Sequence, residues 1–405
     1  MLDALRRKLD WTLLLSFLGL VGIGLAVLHS ASGGGGTDYG LRQLVWLGLG
    51  LPILLFAALT PPSFWFAVSW LTYAVAMALL LLVDLMGMVG MGAERWLGFG
   101  DFHFQPSELG KLALVLSLAR LLSDNRVDLS QLRWVLASLA LAGLPLVLVL
   151  SQPDLGTALV YSFVTVPMLV RAGLPWSWVA VLLSPIVAAA CSANIFLLLV
   201  FILLLGAFLY LSEVGIWVMG ATLSICAGIG FALPTLWGML HAYQQKRILV
   251  FLDPESDPLG AGYQIIQSKV AIGSGGLWGK GYMAGGQTQL AFLPERHTDF
   301  IFSVLGEEWG FIGALVALAL FGLLLTRTQV IALKHRNSYC GLVMTGFAAV
   351  LLFHVVVNVG MTIGIMPVTG LPLPFLTYGG TFLWTCMVMM GLLLNFSWHQ
   401  RDSLT

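Results

Sequence analysis

Twelve runs of predominantly apolar residues follow one another along the chain, at about 11–30, 41–60, 64–87, 107–122, 134–151, 156–172, 176–193, 194–211, 214–238, 303–326, 338–361 and 373–396. A helix of ~20 apolar residues crosses the hydrocarbon core of a bilayer, and within that core every backbone donor and acceptor has to be satisfied inside the protein. The pattern predicts an all-α, polytopic integral membrane protein, with residues 1–405 as a single membrane domain. Charge agrees with it. Asp, Glu, Lys and Arg make up 9% of the chain, against roughly 25% in soluble globular domains, too little to coat a water-facing particle. The 19 basic and 19 acidic residues cancel, which leaves no basic excess to neutralise nucleic-acid phosphates.

Arg6-Arg7-Lys8 before the first run resembles a signal peptide with a small-residue site near Ser30-Ala31-Ser32. The run is long for such a segment and many spans follow, so it reads as a retained first helix. The tightest junction falls at Ser192–Asn194, where a small polar break has to turn the chain between two spans. Cys191, Cys226, Cys340 and Cys386 lack metal or redox spacing and read as packing residues. With the N-terminus inside, eleven basic residues from Arg6 to Arg401 fall in short cytoplasmic loops and tails, against Arg42 and Arg95 in short outer loops. This bias predicts cytoplasmic termini and places the one long interruption, 241–300, on the outer face.

That loop gathers ten charged residues. Tyr263–Ile272 has the pattern of an interfacial helix. Gly273–Gly286 permits tight turns and close backbone approach to a ligand. Tyr263, Trp278, Tyr282 and Phe292 predict a loop that folds back onto the membrane surface.

Ionisable residues inside a bilayer usually face a cavity or a partner. Glu108 and Lys111 stand three residues apart on one helical face, after Pro106 and with Ser107 as an N-cap. They form either a structural ion pair or a ligand-binding pair. Asp84 and His354 suit local polar contacts; Asp154 in Gln152–Thr157 suits helix capping or, since its turn opens onto the same outer face as the Glu94-Arg95-Trp96 loop and the long loop, a substrate-supporting role. In Asp253-Pro254-Glu255-Ser256-Asp257-Pro258 both Asp-Pro pairs are turn signals. The same carboxylates could serve as a base at the membrane surface, near cations able to hold a phosphate: Arg247, Lys269, Lys280, Arg296 and His297.

Several segments carry a resemblance: GAERWLGFG at 92–100, QPSELGK at 105–111, QPDLGTAL at 152–159, the stretch from Tyr243 to Glu308, and GIMPVTGLPLPFLTYGG at 364–380. On these the chain resembles the SEDS cell-wall polymerases (shape, elongation, division and sporulation), and their elongation branch most closely. The division branch reads Asn-Pro-Trp-x-Asp-Pro in the outer loop, so the family's essential carboxylate maps to Asp257. Its paired acid and base map to Glu108 and Lys111, and its loop arginine to Arg95. The resemblance implies a peptidoglycan glycosyltransferase of the bacterial inner membrane that polymerises lipid II during elongation. Its implied partners are a class B penicillin-binding protein and other cell-elongation membrane proteins. Lys111, Arg95, Lys269, Lys280 and Arg296, or a divalent Mg or Mn ion, would neutralise the departing pyrophosphate. Ten spans are expected of the family, so two of the twelve, at about 184–230, read as an added hairpin that leaves the motifs intact. A flippase for the same lipid would also suit twelve spans with buried Glu108 and Lys111. Transporters keep their working groups near the midplane, whereas here polar residues concentrate outside.

Overall fold

Polar side chains at the ends of the apolar runs start the helices. Asp10, Asp38, Asp154, Asn194 and Asn337 are N-caps, each accepting from a backbone N–H two or three residues on, a donor that no helical carbonyl can reach. The computed structural model describes residues 10–33, 38–86, 88–90, 93–99, 102–192, 194–239, 245, 249–250, 253–258, 260–290 and 292–400.

The helices are α1 (Trp11–Ala31), α2 (Tyr39–Leu59), α3 (Pro62–Met86), α4 (Pro106–Leu122), α5 (Leu132–Ser151), α6 (Leu155–Arg171), α7 (Trp176–Cys191), α8 (Ile195–Leu211), α9 (Ile216–Met239), α10 (Ala261–Gly275), α11 (Ile301–Lys334), α12 (Ser338–Thr362) and α13 (Gly380–Trp398). All but α10 coincide with the twelve apolar runs. Seven of them, α1, α2, α3, α5, α11, α12 and α13, are long and apolar enough to cross a membrane. α6, α7 and α8 are shorter apolar helices, as is the stretch Ile216–Ala232 of α9, and α4 carries Glu108, Lys111 and Arg120. The expected tight turn is present: α7 ends at Cys191, and Asn194 Oδ1 accepts from Phe196 N at 2.9 Å to start α8. All four cysteines are free thiols.

α4, α12 and α13 form the centre of the bundle, with nearly every side chain buried. α7, α8 and α9 instead share a small core of their own, Ala188, Leu198, Leu205, Leu209 and Cys226, separate from the main one. Both ends of the described chain lie at one end of the bundle. Arg327 pairs with Asp10 at 2.7 Å, and Arg336 N donates to Gln400 O. Arg120, which reaches the carbonyls of Phe66 and Ala67, and Arg171, which reaches that of Ala332, belong to the same end.

At the other end, a small antiparallel sheet adds to the helical architecture between α3 and α4. Its strands are β1 (Met88–Gly90), β2 (Ala93–Phe99) and β3 (Phe102–Phe104), in the order β1-β2-β3, with Met88 opposite Trp96 and Leu97 opposite Phe104. Between α12 and α13 a non-helical strap, 363–379, crosses the bundle with Leu371, Leu373, Phe375 and Leu376 buried. Irregular backbone at membrane depth is tolerated where protein buries it.

Candidate active site

Asp257 ends a single turn of 3-10 helix, Pro254–Ser256, that leads into α10. Asp253 caps that turn by accepting from Glu255 N at 3.2 Å. The Asp257 carbonyl accepts from Gly260 N at 3.2 Å and Gly262 N at 3.1 Å. Its carboxylate lies against Gly260, where a Cβ would collide with Oδ2. Two Asp-Pro signals thus make the expected turns, and the second leaves Asp257 half-buried at the head of a helix.

α10 covers Tyr263–Ile272, where a helix is expected. Ile265, Ser268, Ala271 and Gly275 are buried, and Ser268 Oγ lies 2.6 Å from both Ser303 Oγ and the Thr362 carbonyl, which ties α10 to α11 and α12. Lys269, one residue on, is exposed. Its stem lies across Gly364, where a Cβ would collide with Lys269 Cε.

Beyond α10 the glycines make a close backbone approach, but to the protein itself. Gly310 has φ +66°, which breaks α11 and frees groups on both sides. Phe311 N and Ile312 N donate to Gly276 O and Leu277 O, while Lys280 N and Gly281 N donate to Glu307 O and Glu308 O, all at 2.9–3.2 Å. A Cβ on Gly310 would collide with Gly279 N. The Glu307 side chain, fully buried, accepts from Lys280 Nζ, Gln287 N, Thr288 N and Thr288 Oγ1 at 2.8–3.1 Å. Lys280, read from the sequence as a phosphate ligand, is therefore held by Glu307.

Glu108 and Lys111 form a buried ion pair of 2.8 Å. Lys111 also donates to His354 Nε2 at 3.1 Å, and His354 Nδ1 lies 2.9 Å from the Pro372 carbonyl. An ammonium has no lone pair and a carbonyl no proton, so these contacts assign a neutral imidazole protonated at Nδ1. The expected cap at Ser107 is not formed. Gln105 occupies the N-cap without a side-chain bond, because Pro106 with its fixed φ starts the helix earlier. Ser107 Oγ and Glu108 Oε2 are buried without a hydrogen-bond partner among the described residues. Asp154 is the expected cap, binding Thr157 N at 3.2 Å and Thr157 Oγ1 at 2.9 Å, and it also accepts from Gln105 at 3.4 Å. Asp84 accepts from Ser151 at 3.0 Å, the local polar contact expected of it.

Arg296 donates to the carbonyls of Ala31 at 2.8 Å, Gly33 at 3.2 Å and Thr288. It clamps the end of α1. His297 stacks on Tyr39 with ring centroids 4.0 Å apart and a 6° interplanar angle. Burial, assisted by the Arg296 charge and opposed by Glu295, holds its pKa below the ordinary imidazole value. Arg95 falls in β2, and its side chain lies outside the described residues, as does Arg247.

The predicted residues do not form one cluster. Some of them border the strap. Gly364 underlies Lys269, and Thr369 O contacts Gly156 beside Asp154. Pro372 O meets His354, and Tyr378 N donates to His297 O at 3.0 Å. Asn358 Nδ2 donates to Leu371 O and Asp299 O, and Gln43 Nε2 to Thr377 O. Sequence reasoning passed over Glu307, Glu308, Asn358 and Gln43. Two adjacent carboxylates at the head of an apolar run were the available signal.

The sequence pattern of the cell cycle protein family comprising FtsW, RodA and SpoVE matches residues 8–205 and 178–402. Peptidoglycan glycosyltransferase MrdB of Escherichia coli (strain K12) is 38% identical over 396 residues, covering 97% of this chain and 94% of that protein. Peptidoglycan glycosyltransferase RodA of Treponema pallidum (strain Nichols) is 35% identical over 426 residues, covering 96% and 98%. A chain from a peptidoglycan synthase complex, solved to show structural coordination of polymerization and crosslinking, aligns with a TM-score of 0.75 and 32% identity over 97% of this chain and 99% of that one. The rod shape determining protein RodA of Thermus thermophilus aligns with a TM-score of 0.65 and 31% identity over 97% and 98%. Agreement in sequence and fold along nearly the whole length makes this chain a member of the FtsW, RodA and SpoVE family.

Proposed function

We propose that Asp257 is the general base with which this chain, a peptidoglycan glycosyltransferase, polymerises lipid II at the outer face of the bacterial inner membrane during cell elongation. The observation that carries the assignment is a contrast in burial. Glu108, Asp154 and Glu307 are buried within the bundle, while Asp257 is half-exposed on a turn fixed by its own backbone. In the reaction Asp257 takes the proton from the 4-hydroxyl of the acceptor's N-acetylglucosamine. That oxygen bonds to the anomeric carbon of the lipid-linked strand, the bond from this carbon to the pyrophosphate breaks, and polyprenyl pyrophosphate leaves with inversion from α to β. A positioned base contributes about 10² to 10⁴ in rate.

Residues 241–300 act as the catalytic loop within one membrane domain whose termini are cytoplasmic. A class B penicillin-binding protein cross-links the product; the similarity to a chain of a peptidoglycan synthase complex supports such a partner. The segment 184–230 is an added hairpin. The separate small core of α7 to α9 and the division of the family match into two overlapping segments, 8–205 and 178–402, support that reading. No three His, Cys, Asp or Glu among the described residues gather around one point, so a divalent ion would be held by one or two carboxylates together with the pyrophosphate itself.

The test uses the purified chain with its penicillin-binding partner and labelled lipid II. Wild type should make polymer and Asp257→Asn should not. Equal yields would remove Asp257 as the base, and lipid II movement across vesicles without polymer would replace the polymerase by a flippase.

A further inference from the structure

Most of the described cations at this end of the bundle are engaged, and Lys269, like Arg42, is an exception. Lys111 is locked between Glu108 and His354, Lys280 is held by Glu307, and Arg296 is fixed on three carbonyls. Lys269 is exposed and makes no hydrogen bond or ion pair among the described residues. It does not stand alone on its helix. Ile266, Lys269, Val270, Gly273 and Leu277 recur at the spacing of one helical face. That face looks away from α11, because the opposite stripe through Ile265, Ser268 and Gly275 is the buried one. Space above Gly273 is open, with nothing within 4 Å of an added Cβ. The stripe then runs onto Leu277 and Trp278, 64% and 80% exposed, on the loop whose backbone is interlocked with the break in α11. From Ile266 to Leu277 it extends roughly 15 Å. Asp257 lies before the head of the same helix.

Carboxylate, then amine, then a lengthening apolar surface is the order of sugar, phosphate and hydrocarbon in a lipid-linked pyrophosphate. Resting on the polymerase reading above, we infer that the outward face of α10 and the Leu277-Trp278 turn form the seat of the donor's polyprenyl pyrophosphate, with Lys269 binding the phosphate and Val270, Leu277 and Trp278 the chain. The seat ranks the cations that sequence left unranked. It also gives a reason for the interlock at Gly310, which holds the apolar end of the seat rigid.

The experiment reads binding, so it does not depend on the base. The full-length Asp257→Asn protein in lipid nanodiscs is titrated with a fluorescent long-chain polyprenyl pyrophosphate and with a short-chain analogue. Lys269→Gln should weaken both by about ten- to a hundredfold, as expected for loss of one hydrogen bond to a charged group, and Lys269→Arg should restore most of the affinity. Trp278→Ala should weaken the long-chain probe by several-fold and leave the short one unchanged. The competing role for Lys269 is to neutralise the nearby C-terminus of α12. In that case Lys269→Gln would lower the thermal midpoint with both affinities intact, and the inference is overturned. Loss of chain-length discrimination in neither variant overturns it equally. Failure of the base shows separately, as polymer made by Asp257→Asn in the turnover assay.

Discussion

Charge within the helical bundle and charge at its outer rim are held in opposite ways. Inside, Lys111 touches both Glu108 and His354, and Glu307 collects four donors from Lys280, Gln287 and Thr288. At the rim, Asp257 sits half-exposed on a backbone-fixed turn, and Lys269 stands on the outward face of α10. The difference follows from solvation. An ion removed from water needs its counter-charge in place on folding, so an interior pair becomes part of the architecture. An ion at the water boundary keeps its hydration until a substrate displaces it. On the function proposed, the buried ion pairs of this fold serve assembly, while Asp257 and Lys269 serve the chemistry.

The largest effect that could break this division is at Asp257. Asp257→Asn should reduce polymerisation by about 10² to 10⁴ while the thermal midpoint in detergent stays at the wild-type value; a large loss of stability would move Asp257 into the interior class. Next comes Lys111→Met, which leaves the Glu108 carboxylate buried and unpaired and should destabilise the protein by about 3–5 kcal/mol. Adding Glu108→Gln removes the stranded charge, so the double variant should regain part of that loss, a coupling visible in a double-mutant cycle of thermal unfolding. If Lys111→Met unfolds like wild type and only turnover falls, the buried pair belongs with the chemistry after all.

What the sequence made legible was mostly local. The apolar runs, the cap at Asp154, the polar break at Ser192–Asn194, the helix at 261–275 and the two Asp-Pro turns are set by residues a few positions apart, where period and residue type suffice. The cap at Ser107 was misplaced because Pro106 carries the stronger start signal. Long-range partners were hidden. Lys280 and Glu307 are 27 residues apart and Arg296 and Ala31 265 apart, so nothing in their neighbourhoods shows that these cations are already engaged. The break at Gly310 was hidden too, since it depends on Gly276 to Gly281 offering backbone groups from elsewhere. Motif resemblance pointed to Asp257; burial separates it from Glu108, Asp154, Glu307 and Glu308 but not from Glu295 and Asp299, which are half-buried as well.

Lys280→Met should act more weakly than Lys111→Met. The lysine side chain is a third exposed, and Glu307 retains three donors without it. Screening by solvent reduces such a pair, and a loss of about 1 kcal/mol is expected, measured by thermal unfolding in detergent. A loss as large as that of Lys111→Met would show that Lys280 is the main support of the Gly276–Gly281 interlock.

The smallest effect sharpens the boundary itself, at His297. Its ring is half-buried, stacked on Tyr39 and near Tyr378, with Glu295 and Arg296 as its charged neighbours. Burial favours the neutral ring and places its folded pKa below the unfolded value of about 6.5. As pH falls through that value the unfolded chain takes up the proton first, so this contribution to stability is full above about pH 6.5 and is lost on acidification toward the folded pKa. His297→Phe keeps the stack and removes the titration. Wild type should therefore lose more thermal stability than His297→Phe between about pH 7.5 and pH 5.5. Parallel slopes would show that the ring is hydrated enough to behave as a rim group. A steeper wild-type slope places it with the interior, even though it lies in the same loop, 241–300, as Asp257.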